Sequence, residues 1–256
     1  MTPASHKRDR YRDQWENLGS HDPYWAVLSD PEKKGGKWDK DEFFESGRTE
    51  VDQVMNDLAR LCPGLHRGVA LDFGCGVGRL SRALSHCFEQ VIGVDIAASM
   101  LAEARVRNQD FPNIEFIQNT SEGLGIIAEG TVDLVYSNIV LQHMPGDRQA
   151  AYIGEFGRVL KTDGVAVFQT PSHHDIATAR GFVHRVLGNR VLNVARRAIH
   201  GRQGIMEIHT LPRDVVDRTC QRAGMKVVAA QRYDATGRGF VSYRYYAVKG
   251  ERSSRP

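Results

Sequence analysis

Two acids and three glycines carry the clearest chemistry in this chain. Asp72 precedes Gly74-Cys-Gly76-Val-Gly78, and Asp95 follows Gly74 by 21 residues. Glycines at alternate positions make a turn that takes positive φ and lets a ligand touch backbone. A carboxylate ~20 residues further on, at a second strand's end, is placed to accept hydrogen bonds from ribose hydroxyls. Burying such a group is costly without a partner, so Asp95 is assigned to a ligand rather than to a core.

The ligand's charge narrows its class. The pyrophosphate fingerprint is G-x-G-x-x-G, whereas here the third glycine comes one residue early. Asp72 beside the turn ill suits a pyrophosphate and suits a ligand end with positive charge. S-adenosylmethionine, with a sulfonium and an ammonium against one carboxylate, is net cationic. Where a proton has to be taken up near neutral pH, a histidine with its ordinary pKa of ~6.5 is the natural acceptor. His143, five residues past Asn138, is the first candidate; His173 and His174 are the second, and His209 the third. The histidines show no H-E-x-x-H spacing, and Cys62, Cys75, Cys87 and Cys220 lie far apart, so no metal site is expected.

The elements that must position these residues follow from periodicity. Val69 to Phe73 is a short buried strand, and Leu80, Ala83, Leu84, Cys87 and Phe88 have the spacing of an amphipathic helix. Gln90 to Asp95 is a second strand, followed by a helix that Ser99 caps and that carries Met100, Leu101 and Ala104. Asn113 to Asn119 alternates as a third strand, with Thr120, Ser121 and Glu122 just past its end, where an adenine edge is met. Val132 to Asn138 is a fourth strand. Asp147 caps the next helix, Thr162-Asp-Gly164 ends it, and Val165 to Thr170 is a fifth strand. Strands alternating with helices make a doubly wound, mostly parallel α/β sheet. Ligands of such sheets lie outside the strands' carboxyl ends, where Asp72, Asp95, Thr120 and Asn138 all fall.

The flanks differ in character. Residues 1 to about 10 are polar, basic and expected to fray. Tyr11 to Phe44 is aromatic-rich with weak periodicity, and Ser46 to Glu50 leads into a helix with Val51, Val54, Met55, Leu58 and Leu61 inward. This arm either packs over the sheet or closes as a lid, with Tyr24, Trp25 and Trp38 lining a substrate pocket. From Ile176 to Met206 there is no acid, but there are Arg180, Arg185, Arg190, Arg196, Arg197 and Arg202. A helical cap with a solvated basic face, a grip on an anionic or lipid-linked substrate, and contact with an anionic membrane surface are all open. A helix from Val215 to Ala223 and a hairpin of Met225 to Gln231 with Phe240 to Val248 close the chain. The division expected is 1–64 arm and helix, 65–171 cofactor-binding core, 172–211 basic cap insertion, and 212–256 last helix and hairpin of the same sheet.

Bulk properties exclude several classes. At 256 residues with 41% hydrophobic and 25% charged content, the chain is an ordinary globular one able to bury a full core. A net charge of +3 is too small to argue for nucleic acid. The N-terminus lacks an apolar h-region and no apolar run reaches ~18 residues, so neither a signal peptide nor a membrane span is expected. A cytoplasmic setting fits, with the inner membrane face as the place for any peripheral contact.

The ordered motifs LDFGCGVGRLSRAL, VIGVDIAASML, FIQNTSEGL, VDLVYSNIVLQHMP and EFGRVLKTDGVAVFQTP resemble those of class I S-adenosylmethionine-dependent methyltransferases that modify small molecules. The resemblance covers residues 69 to about 170. It implies a Rossmann-like seven-stranded sheet with the last strand antiparallel. It also implies that Gly74 and Gly76 hold the methionine part, Asp95 the ribose, and Ile96 with Met100 the adenine, with Ser121 and Glu122 along its edge. Thr120 stands where many relatives carry an acid, and Arg48 resembles an arginine that some use to grip the methionine carboxylate. Metal-using relatives place an aspartate where this chain has Ser137-Asn138. The expected function is O-methylation of a small-molecule or glycoside hydroxyl, with N-methylation of a small amine and RNA methylation as alternatives.

Overall fold

The computed structural model describes residues 3–175, 178, 206–233, 236 and 239–250, with side chains from Tyr11 onward. The six arginines of the insertion, with His184 and His200, lie outside the described residues, so the expected cap and its candidate roles do too. Among the described residues, seven strands form one mixed sheet in the order β3-β2-β1-β4-β5-β7-β6. They are β1 Val69–Phe73, β2 Gln90–Asp95, β3 Ile114–Gln118, β4 Val132–Ser137, β5 Leu160–His174, β6 Met225–Arg232 and β7 Phe240–Lys249. β1 pairs parallel with β2 and β4, β2 pairs parallel with β3, and β6 and β7 are antiparallel. This is the Rossmann-like arrangement expected.

The chain forms two compact units. The first holds residues 1–136 and 159–165. Its helices are α1 Pro3–His21, α2 Pro23–Val27, α3 Lys40–Leu61, α4 Arg79–Ser85 and α5 Ala98–Arg107. α1 corrects the expectation of a frayed start, because its backbone is helical from Pro3. α3 begins well before the expected Ser46–Glu50 lead-in. Asp39 caps it by accepting from the Glu42 N–H at 2.9 Å, and Asp41 and Glu42 favour its positive end. Phe43, Gly47, Val51, Val54 and Leu58 then run down one buried face. Gly47 hides this stripe in the sequence, since glycine argues against a helix. A Cβ there would meet the Arg79 carbonyl oxygen at 2.6 Å, so glycine is what lets α3 seat on the start of α4.

α5 also departs from expectation. Its N-cap is Ala97, which supplies no side-chain cap. Glu16 of α1 replaces it, accepting from the Ser99 N–H at 3.0 Å. At the first strand's start, buried Asp133 accepts from the Val69 N–H at 2.7 Å and from Lys161 at 2.8 Å, joining β1, β4 and the first turn of β5. Thr162-Asp-Gly164 lies within β5 instead of ending a helix, with Asp163 at φ 63°.

The second unit holds residues 137–158 and 166–256. Among its described residues the helices are α6 Gly146–Val159 and α7 Arg213–Arg222. Gly146 precedes Asp147 at the start of α6, so Asp147 sits in the first turn. Phe156 packs on Phe168, which stacks on Tyr245 with ring centroids 5.4 Å apart. Among the described residues no helix is long and apolar enough to cross a membrane.

Two glycines in helices give opposite expectations. Gly47→Ala forces a Cβ against backbone and is expected to destabilise by ~1–3 kcal/mol. Gly154 in α6 has nothing within 4 Å of such a Cβ, so Gly154→Ala is expected to stabilise by ~0.5–1 kcal/mol. Urea unfolding followed by circular dichroism measures both, and equal effects at the two positions refute the packing account.

Candidate functional site

In the first unit, the turn after β1 is held by the end of β2. The Gly74 and Cys75 amides both donate to the Val94 carbonyl, at 2.7 and 3.1 Å. Gly74, Gly76 and Gly78 have φ of 77°, 53° and 81°, a region that strains any other residue. Asp95 joins the two loops. Its Oδ2 accepts from the Gly76 N–H and its Oδ1 from the Ala97 N–H, each at 2.9 Å. Burial raises its pKa, opposed by these amides and by that of Ile96, while nearby Glu16 raises it further. An ionised carboxylate has about four acceptor positions, so the three amides of Gly76, Ile96 and Ala97 leave capacity for a ligand's hydroxyl. The Asn119 amide donates to the Asp95 carbonyl at 2.9 Å and brings the β3 loop alongside.

Asp72 has a different place from the one its type suggested. Only 1% exposed, it accepts from the Ser81 hydroxyl at 2.6 Å, so it stands behind the turn and fixes α4. Burial pushes its pKa up to about 7, although Ser81 and the charge of Arg79 lower it. Arg48 is exposed and paired with Glu45 one turn back, at 2.7 Å, rather than with the glycine turn. The guanidinium beside the turn is Arg79. It is 3% exposed and donates to Glu50 at 2.8 Å, and Glu50 also accepts from the Tyr136 hydroxyl at 2.5 Å. Tyr136 is level with Asp72 across the β1–β4 ladder. No spacing in the sequence announces this Glu50–Arg79–Tyr136 cluster; its only signal is an arginine following the glycines.

Other predicted cofactor residues are placed as follows. Met100 is buried, while Ile96 is half-buried, with its carbonyl accepting from Gln118 at 3.0 Å. Thr120, Ser121 and Glu122 are exposed on the loop after β3. Asn119, unforeseen, shapes that loop by accepting from the Ser121 amide and donating to the Gly123 carbonyl. The arm meets the turn through Val27, whose side chain occupies the space a Cβ on Gly76 would need. Its aromatics are anchored internally. Tyr24 donates to Glu103 at 2.7 Å, Trp25 to the Asp30 carbonyl at 2.9 Å and Trp38 to the Leu28 carbonyl at 3.0 Å.

The second unit gathers a buried polar group after β4 and β5. The Asn138 amide donates to the Tyr233 hydroxyl at 3.3 Å. Ile139 has φ 60°, a strained value for a β-branched residue, and its N–H donates to Gln169 at 3.2 Å. Gln169 Nε2 lies 3.2, 2.8 and 2.6 Å from Gln142 Oε1, Thr236 Oγ1 and Ser242 Oγ, which share its two protons. His143 does not stand open at a mouth; it is 6% exposed. Its Nδ1 lies 3.0 Å from the Glu207 carbonyl, which fixes a proton on Nδ1, and its Nε2 lies 3.3 Å from the Gln142 amide nitrogen. Burial lowers its pKa to about 4. His173 is exposed, and His174 lies against the Phe240 ring at 4.9 Å. His209 is half-buried, with Nε2 3.6 Å from the Glu207 carboxylate. Burial lowers its pKa, opposed by Glu207 and Asp147. Among the described residues no cluster of His, Cys, Asp and Glu is arranged to hold a metal ion.

Comparison with known proteins gives this geometry a context. Residues 70–164 match the model of a methyltransferase domain. A trans-aconitate 2-methyltransferase of Deinococcus radiodurans is 34% identical over 148 residues, 56% of this chain and 53% of the relative. A malonyl-[acyl-carrier protein] O-methyltransferase of Pectobacterium atrosepticum is 28% identical over 182 residues, 71% of this chain and 62% of the relative. The chain thus spans about half the length of the first and under two thirds of the second. The magnesium protoporphyrin IX methyltransferase of Synechocystis PCC 6803, crystallised with bound SAH, shares the fold. It has a TM-score of 0.63 at 20% identity, over 95% of this chain and 100% of that one.

The buried imidazole has a pH signature. Its native pKa of about 4 lies below the ordinary 6.5, so the unfolded chain binds more protons between those values and stability is lost as the pH is lowered through that range. Asp72, shifted upward, acts in the opposite sense, so the His143 effect is isolated by difference. The stability gap between the unaltered chain and His143→Gln is expected to narrow by about 2 kcal/mol from pH 7 to pH 5. Urea titrations at both pH values measure it, and a pH-independent gap contradicts a buried neutral imidazole.

Proposed function

We propose, for a chain whose core belongs to the class I S-adenosylmethionine-dependent methyltransferases, transfer of a methyl group to an oxygen of a small-molecule or glycoside acceptor. The observation that carries this is Asp95, which bonds the glycine turn and the start of α5 and keeps acceptor capacity for a ribose. When bound, S-adenosylmethionine supplies a methyl carbon already activated by its sulfonium. Gly74 and Gly76 let the methionine end lie on backbone, and Asp72 places negative charge behind them. Ile96 and Met100 wall the adenine, with Ser121 and Glu122 along its edge and Thr120 in place of the acid common in relatives.

The chain's main task is then alignment, an effect that reaches effective molarities of ~10⁵ M or more. A neutral hydroxyl also has to lose a proton as its oxygen attacks, and a histidine serves as the base. The relatives named for trans-aconitate and malonyl-[acyl-carrier protein] support an oxygen acceptor.

One observation favours a second acceptor, a carboxylate. Arg244 is 4% exposed and stacks on Tyr233 at 3.8 Å, and the Tyr233 hydroxyl meets Asn138. Trans-aconitate and a malonyl group both carry carboxylates, which arrive without a proton and need no base. A turnover independent of pH from 6 to 9 is the sign of that acceptor.

Asp95→Ala is expected to weaken S-adenosylhomocysteine binding 10- to 100-fold, the loss of hydrogen bonds to a charged group at about 1.5–3 kcal/mol. Calorimetry with an unchanged far-ultraviolet spectrum tests this. Undiminished affinity removes Asp95 from the site.

A further inference from the structure

Three ties hold the arm of the first unit across the corner that Asp95 makes. Glu16 of α1 accepts from the Ser99 N–H with both oxygens, at 3.0 and 3.3 Å, and the Ser99 hydroxyl donates back to the Glu16 carbonyl at 3.2 Å. Gly19 lies so close by that a Cβ there would stand 2.5 Å from Ser99 Oγ and 3.0 Å from Met100 Cγ. Tyr24 of α2, 8% exposed, donates to Glu103 of α5 at 2.7 Å. Val27, at the end of α2, rests on Gly76 of the glycine turn.

These contacts bracket the two amides that Asp95 holds through hydrogen bonds. Gly76 is buried with Val27 upon it, and Ala97 is buried two residues before the amide that Glu16 takes. The first N–H groups of a helix have no acceptor within it, so the Ser99 amide depends on an outside one. The same tie is built to come undone. Glu16 and Asp95 are like charges at the start of one helix, and the charge of Glu16 opposes that of Asp95. The positive end of α5 holds both against their repulsion. The arm joins α3 through residues 28–39, where Gly35 and Gly36 are exposed at φ 85° and 73°.

We propose that the arm from Tyr11 to Val27 is the gate of the Asp95 corner and that Glu16 is its latch. The corner admits S-adenosylmethionine and releases S-adenosylhomocysteine only when Glu16 lets go of the Ser99 amide. This rests on the cofactor site proposed above. The gate is distinct from a lid over an acceptor pocket, because Tyr24, Trp25 and Trp38 use their polar hydrogens to anchor the arm to α5 and to itself. A latch that closes the free and the loaded chain alike lowers the fraction of time the corner stands open. Entry and exit are slowed together, so the latch acts on exchange rates more than on affinity.

The test uses the full chain, with S-adenosylhomocysteine as the probe. Stopped-flow fluorescence, with Trp15 and Trp25 in the arm as reporters, reads both rate constants. Glu16→Ala is expected to raise the association and dissociation rates together, each ~10-fold or more. Unchanged rates, or faster dissociation alone, overturn the latch. A reversible lock tests the gate. The close approach of Gly19 to Ser99 suits a disulfide between Gly19→Cys and Ser99→Cys. Oxidised, this double variant is expected to exchange the probe at least ~10-fold more slowly than after reduction. Equal rates in the two forms overturn the gate. Amide hydrogen exchange follows the latch with no ligand present. Glu16→Ala is expected to speed exchange at Ser99 and leave it unchanged at Leu101, whose N–H donates to the Ala97 carbonyl. Acceleration at both positions means that α5 frays, and it overturns the latch. Each of these failures leaves methyl transfer standing, whereas an unaltered chain that binds no S-adenosylhomocysteine overturns the methyltransferase function and the gate with it.

Discussion

The first unit depends on one carboxylate between two backbone amides. Asp95 accepts from Gly76 on one side and from Ala97 on the other. The turn after β1 and the entry to α5 therefore cannot move independently. Charge-assisted hydrogen bonds to backbone are among the stronger polar contacts available to a protein. Here one of them fixes Gly76, while Gly74 and Gly78 are held by the carbonyls of Val94 and Cys75. Everything proposed for the cofactor, from the methionine end to the ribose, requires that this join is made before any ligand arrives.

The second unit works with neutral groups. Gln142, Gln169, Thr236 and Ser242 satisfy one another in a buried cluster, and such networks fix a single geometry when every member has a partner. Strain at Ile139 is held within the same cluster, through the Gln169 side chain. An imidazole placed in this environment loses its basicity, which is the fate of His143. Burial lowers the pKa of His209 as well, although the Glu207 carboxylate beside the ring opposes it.

Much of the first unit was legible because its signals are local. The glycine turn, the interval to Asp95, the strands and their alternation with helices each lie within a few tens of residues. What escaped was long-range or depended on burial. Glu50 reaches Arg79 from 29 residues away and Tyr136 from 86, and Glu16 caps α5 from 83 residues away. No spacing rule joins such partners. Gly47 misled for a subtler reason: the feature that weakens a helix in isolation is the one that lets α3 approach the Arg79 backbone. His143 had the right residue type and interval, but a histidine's protonation is decided by its surroundings, and these are visible only in three dimensions. Asp72 was recognised as important for its charge, while its contact is with Ser81.

The Glu50 carboxylate bears on how this fold can be divided. It is the counter-charge of a buried guanidinium in the turn and the hydrogen-bond acceptor of a buried tyrosine at the end of β4. Removing one partner of a buried ion pair leaves an uncompensated charge and is far more damaging than replacing both. A chain cut just before residue 70, where the domain match begins, strands Arg79 in just that way. The segment before the glycine turn is thus not a detachable module. A crossover upstream of α3 keeps the helix and the arginine it neutralises together in one inherited piece.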